Sequence, residues 1–157
     1  MKTLNIAVPT PDDEEAPLGA LDHLVGYHLR RASSAFGADF ARALEGTGMR
    51  QVLFGILSVV GANPGINQGA AGRSLGIQRA NMVTLINQLA DIGLLDRQTA
   101  AEDRRALALR LTPAGEKALK ECLERIEAHE EQMLAGLTAA ERRTLIALLS
   151  KIEGRRR

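Results

Sequence analysis

Gln78, Arg79, Ala80, Asn81, Thr84, Asn87 and Gln88 are close together in the chain and mostly short, polar or amide-bearing. At 100° per residue, Ala80, Thr84, Asn87 and Asp91 share one side of a helix, flanked by Asn81 and Gln88. Met82, Leu85, Ile86, Leu89 and Ile92 form the opposite, apolar stripe, which must face a core. Side chains of the first kind suit close approach to base edges: an amide pairs bidentately with adenine, and the methyls of Ala and Thr touch that of thymine. Gln78 and Arg79 fall in the first turn, where unpaired N–H groups and the helix dipole favour a phosphate. An ordinary solvated helix face would carry the same residues, so the pattern gains meaning only from the segment C-terminal to it.

Beyond Gly93, a residue suited to the left-handed end of a helix, the period changes from helical to alternating. Leu107, Leu109 and Leu111 alternate with Ala106, Ala108 and Arg110, as in a half-buried strand. Leu94 to Gln98 supply a partner strand, which leaves Thr99 to Arg105 as the tip of a basic hairpin. Arg104 and Arg105 are placed there to reach phosphates or a minor groove. Glu102 and Asp103 beside them would repel a polyanion unless paired internally, and Asp103 reads as a partner for one arginine or for a loop N–H. A helix reached through a Gly-containing turn and succeeded by such a hairpin predicts a winged helix-turn-helix that grips DNA.

Gly93-Leu-Leu-Asp-Arg97, then Asp103-Arg-Arg105, then Leu111-Thr-Pro-Ala-Gly115 closely resembles the signature of the MarR family of winged-helix transcriptional regulators. The likeness extends from about Leu18 to Ile152 in the order of elements, and its strand, wing and helix start occur at the family's spacing. Leu85 departs from it, standing where many relatives carry a basic residue, so no contact with DNA is carried over to that position. The resemblance implies a dimer, a palindromic DNA operator, repression as the mode of action, and a small-molecule effector. Family members commonly bind aromatic carboxylates or their coenzyme A thioesters, and Gly26-Tyr-His-Leu-Arg-Arg-Ala32 is similar to the matching segment of regulators of aromatic-acid catabolism.

The elements that position these residues are mainly helical. Residues 1–17, with three prolines and Asp12-Asp-Glu-Glu15, read as a flexible acidic arm, and 18–157 as a single domain. Helices are expected over Leu18 to about Leu44, Met49 to Ala62, Gln68 to Leu75, Pro113 to about Gly136 and, behind the capping box Thr138-Ala-Ala-Glu141, to Ile152. The reading head is then about 50–111, with dimerisation helices about 18–44 and 113–153. The first helix would extend about 40 Å, and both terminal segments are apolar on one side. A two-fold dimer in which these helices interlock would set two recognition helices roughly 34 Å apart.

On the first helix, Tyr27, His28 and Arg31 offer a ring, an imidazole and a guanidinium beside an apolar stripe, a set suited to a small anion with an apolar body. Met49, Val52 and Leu53 would be the apolar wall of such an effector pocket. The competing reading makes His28 a satisfied core histidine and gives Arg30 and Arg31 to interchain salt bridges.

With 45% hydrophobic and 25% charged residues in a chain of 157, the composition suits one domain with a real core. The formal net charge of +1 is too small for a globally cationic binder, so any grip on DNA must be local. No apolar run long enough to span a membrane and no signal pattern appear, which predicts a cytoplasmic protein. No nucleophile with its base, no glycine loop behind a strand and no metal-ligand spacing is recognisable, so neither an enzyme, a cofactor nor a metal is expected. Cys122, on the apolar face of a helix, reads as a packed core thiol. The alternative function is a winged helix that serves protein recognition without sequence-specific DNA binding. The wing separates the two: replacing Arg104 and Arg105 together by Ala should weaken binding across DNA sequences and flatten its salt dependence, with the fold retained. Equal affinity of that variant and the parent at moderate salt would remove the wing from the DNA-binding scheme.

Overall fold

The computed structural model describes residues 16–99 and 107–154. The chain divides into two compact units at Ala35/Phe36. Among the described residues a 3₁₀ turn, Gly19–His23, precedes helix α1, Val25–Ala43. Helices α2 (Gln51–Ala62), α3 (Gln68–Leu75) and α4 (Arg79–Asp91) come next, then strands β1 (Leu95–Thr99) and β2 (Leu107–Leu111) and helices α5 (Pro113–Met133) and α6 (Ala139–Ile152). The fold is mainly α with a small antiparallel wing behind a helix-turn-helix.

The expected single helix from Leu18 to Leu44 is shorter than its apolar pattern suggested. Gly19 is left-handed at φ 58° and Leu24 is extended at ψ 105°, neither compatible with a continuous helix. The helix proper has 19 residues, about 28 Å rather than 40 Å. Helix α2 begins at Gln51, two residues after Met49, because Gly48 is left-handed and Arg50 extended. Helix α5 stops at Met133, ahead of Gly136.

Helix α2, Gln-Val-Leu-Phe-Gly-Ile-Leu-Ser-Val-Val-Gly-Ala, is apolar almost all round, and it lies at the centre of the second unit. Its Leu53, Ile56, Leu57 and Val60 are wholly buried and share one core with Ala71, Met82, Ile86, Leu89, Leu95, Leu109 and Cys122. Helices α3, α4 and α5 and strand β2 all pack on it. Burial pushes the Cys122 thiol up in pKa, which suits packing and opposes thiolate chemistry. Phe40 meets Phe54 edge-on at 5.9 Å, and His129 Nδ1 lies 2.9 Å from Asp39 Oδ2, fastening the end of α1 to α5.

The ends of elements are set by specific hydrogen bonds. Asn67 caps α3 by accepting from Ala70 N at 2.8 Å, and Gly76, left-handed at φ 66°, turns the chain toward α4. Beyond α4, Leu94 N donates to Leu89 O at 2.9 Å and Gly93 takes φ 74°. The capping box at Thr138 is formed in both directions, and Arg142 ties the α5–α6 corner to Glu131 and to the Leu134 carbonyl. In the wing, Leu95 pairs with Leu111 and Arg97 with Leu109, so that Leu95 and Leu109 face the core while Asp96 and Arg110 face water. The chain before α3 adds to the β2 edge through Gly65 N to Leu109 O and Leu109 N to Ile66 O, at 2.8 and 2.9 Å.

Thr112 joins three of these elements. Its hydroxyl donates to Gly93 O at 2.7 Å and accepts from Gly115 N at 3.0 Å, while its own N–H donates to Leu94 O at 3.2 Å. Gly115 sits so close to Leu94 that a Cβ there would lie 2.0 Å from the Leu94 carbonyl oxygen. The obstacle is backbone and cannot rotate away. Gly115→Ala should therefore cost about 3 kcal/mol or more, read as a lower urea midpoint at unchanged slope. A midpoint within error of the parent would mean that α5 can shift freely away from Leu94.

Candidate nucleic-acid interface

Helix α4 forms because its apolar residues recur at helical spacing and its N-terminus is released by the Gly76 turn. Met82, Ile86 and Leu89 are buried, and Leu85 is half-buried against the same core. Ile92, which the sequence placed in that stripe, is 54% exposed because the helix ends at Asp91 and Ile92 already belongs to the turn.

Gln78, Arg79, Ala80, Asn81, Thr84, Asn87 and Gln88 are all exposed, and they lie on one continuous side of α4 and its first turn. Gln78 is the N-cap with extended backbone and makes no side-chain cap, which leaves the first-turn N–H groups without a capping side chain. Arg79 comes directly after it. Val83, 43% exposed, shares this outward side, one turn from Ala80 and Asn87. Sequence reading passed over it because valine suggests a core; its angular position was the available signal.

Two further residues reach this surface from outside the helix. Arg97 of β1 donates to Asn87 Oδ1, and Arg50, just ahead of α2, donates to Gln88 Oε1 at 2.8 Å. Both arginines are exposed, as are Arg73, Arg79 and Arg110, which gives this part of the chain a locally cationic character that the net charge conceals. Arg104 and Arg105 lie outside the described residues, as does the acidic arm up to Glu15.

The proposed effector residues fall into two groups. In the first unit, His28 Nε2 lies 2.9 Å from the Asp22 carbonyl, and Tyr27 meets the His28 ring edge-on at 5.5 Å. The guanidinium carbons of Arg30 and Arg31 stand 5.5 and 5.9 Å from the Tyr27 ring centre. Within the single chain His28 is exposed, with Nε2 at the Asp22 carbonyl. In the second unit, Met49 and Leu53 are buried members of the core and Val52 packs against it. None of these six lines the cavity of about 460 Å³ that opens among Val60, Pro64, Arg110, Leu111, Leu119 and Lys120. Among the described residues no three His, Cys, Asp or Glu side chains gather as a metal site, and no helix is long and apolar enough to cross a membrane.

The MarR family model matches residues 48–106, the span from the start of α2 to the wing. A Thauera aromatica protein assigned as the transcriptional regulatory protein for the hcr operon is 36% identical over 135 residues, covering 85% of this chain and 81% of that protein. The transcriptional repressor CouR bound to a 23-mer DNA duplex superimposes with a TM-score of 0.83 at 31% identity, over 89% of this chain and 99% of that one. CouR bound to p-coumaroyl-CoA gives a TM-score of 0.76 at 29% identity, over 88% and 98%.

Replacement of Asn81, Thr84 or Asn87 would separate base reading from general adhesion. Thr84→Ala or Asn81→Ala should reduce discrimination by about 1–3 kcal/mol for each good base contact the side chain makes. Binding to unrelated duplex should change far less. Equal losses on selected and unrelated DNA would show that α4 positions the protein without reading bases.

Proposed function

The chain belongs to the MarR family of transcriptional regulators, and from that premise we propose that it is a dimeric, DNA-binding repressor released from a palindromic operator by a small aromatic acid or its coenzyme A thioester. The observation that carries the DNA reading is the outward side of α4, where seven exposed, mostly small or amide side chains lie beside unburied arginines. Amides and methyls at this spacing suit the major groove, and the arginines suit the phosphates on either side of it. Similarity to CouR in its DNA-bound form supports the same use of the helix. The protein-interaction alternative has no comparable feature, because it gives no role to a cationic rim around base-sized polar groups.

Dimerisation is supported by apolar side chains that are exposed among the described residues. On α6, Leu145, Ile146, Leu148 and Ile152 are exposed, and so are Leu21, Leu24 and Val25 in the first unit. Exposed apolar side chains at this density mark association surfaces. Two copies joined through these segments would present two α4 helices to successive turns of a duplex. The protein would act in the cytoplasm, without catalysis and without a bound cofactor.

For the effector we take Tyr27, His28 and Arg31 as the polar recognition set. The ring and guanidinium suit an aromatic anion, and the CouR complex with p-coumaroyl-CoA supports the chemical class. Repression is relieved if the effector favours a dimer whose reading heads no longer match the operator. A coupling of about 1–3 kcal/mol lowers operator affinity roughly 5- to 150-fold, and operator DNA must weaken effector binding by the same factor. Thermal-shift screening with aromatic acids and their thioesters, then calorimetry on free and DNA-bound protein, tests this. Arg31→Ala should reduce effector affinity while apo DNA binding stays nearly intact. Equal effector affinity for the free and DNA-bound protein would end the release mechanism, and no salt-sensitive affinity for any duplex would favour the protein-interaction role.

A further inference from the structure

Asn87 and Gln88 are adjacent on the outward side of α4, and each is held by an arginine that belongs to another element. Arg97 reaches Asn87 because its register on β1 places it opposite Leu109, on the strand face that turns toward α4. Arg50 reaches Gln88 from the extended residue that precedes α2. In sequence these partners are 10 and 38 residues apart. Among the described residues neither arginine makes an ion pair with a carboxylate, and each places a guanidinium beside the helix.

The chemistry of this contact has one allowed orientation. A guanidinium has donors only, so a side-chain amide that bonds to it must turn its oxygen inward. The amide nitrogen, with its two N–H groups, is then directed away from the arginine. An unconstrained Asn or Gln reads adenine with both ends of the amide, accepting from N6 and donating to N7. Here the guanidinium takes one of the oxygen's two lone pairs, and the adjacent cation repels the partly positive N6 amino group, which disfavours the second bond. Guanine presents only acceptors in the major groove, N7 and O6, and so matches a side chain restricted to donating.

We infer that Arg97 and Arg50 are specificity-determining positioning residues that lock Asn87 and Gln88 as donors and turn the base preference of this end of α4 from adenine to guanine. Such a lock rests on the DNA-binding function proposed for α4 and adds to it which base is preferred and why. It differs from a phosphate-clamp role for the same arginines: a clamp changes affinity for all sequences alike, whereas a lock changes which base is chosen.

Selection from a library of randomised duplex DNA, using the full chain, tests it. The base position belonging to Asn87 is the one at which Asn87→Ala loses preference. At that position the parent should enrich guanine. Arg97→Met, which keeps the length and removes the donors, should free the amide oxygen and move the guanine-to-adenine ratio toward adenine by about tenfold. Arg97→Lys, which still donates, should retain guanine, and Asn87→Asp, which keeps the arginine but has no donor, should lose it. Arg50→Met should act in the same way at the Gln88 position. Circular dichroism and sedimentation establish that each variant remains folded and keeps the parent's assembly state.

A guanine preference that survives Arg97→Met, or that becomes flat without a gain of adenine, would overturn the lock. So would a parent that enriches a clear motif with adenine at these positions, in which case the DNA-binding function stands and only the lock falls. A folded parent that enriches no motif at all overturns both together.

Discussion

The approach of α5 to the chain that leaves α4 is the constraint on which the packing of α4, the wing and α5 depends. Thr112 satisfies the Gly93 carbonyl and caps α5 with the same hydroxyl, and the missing Cβ of Gly115 lets the helix start lie against the Leu94 backbone. Three elements are thereby fixed at one point: the end of α4, the first strand of the wing and the long helix beyond it. Because α5 and α4 both pack on α2, a shift in α5 is transmitted to α4 through close-packed atoms.

Around that point the core is organised by α2. A helix apolar on nearly every side has no stable place at a surface, so α3, α4, α5 and the wing gather on it. The consequence for function is indirect but strong. Met82, Ile86 and Leu89 fix the rotation of α4 about its own axis, and that rotation decides which of its residues face outward. Val83 is outward for this reason alone. The polar surface is therefore set by apolar packing on the opposite side, and a change of rotation would exchange outward residues for core ones.

Charge is distributed to the same end. A net charge of +1 gives the whole molecule little attraction for a polyanion, yet Arg50, Arg73, Arg79, Arg97 and Arg110 are all exposed in the second unit. Elsewhere, positive charge serves structure, as where Arg142 holds Glu131 and two backbone carbonyls and keeps the Glu131 carboxyl below the usual range. Arg50 and Arg97 have both characters, since they bond to side chains of α4 and remain open to solvent.

The sequence by itself determined what acts within a few residues along the chain. Thr138 and Glu141 announced their capping box, Thr112 and Pro113 the start of α5, and the stripe from Met82 to Leu89 the buried side of α4, because capping and helical periodicity are local. The outward placement of Asn81, Thr84, Asn87 and Gln88 came from the same stripe. The break at Leu24 was not legible, since an apolar pattern is indifferent to whether one extended residue interrupts it. Nor was the exposure of Ile92, one residue past the helix end. Only the tertiary structure decided that Arg97 and Arg50 meet Asn87 and Gln88, or that Gly115 must be glycine because a carbonyl of Leu94 occupies the place of its side chain. Those contacts depend on how finished elements pack against one another, and pairing across elements leaves no periodic trace in the chain that makes it.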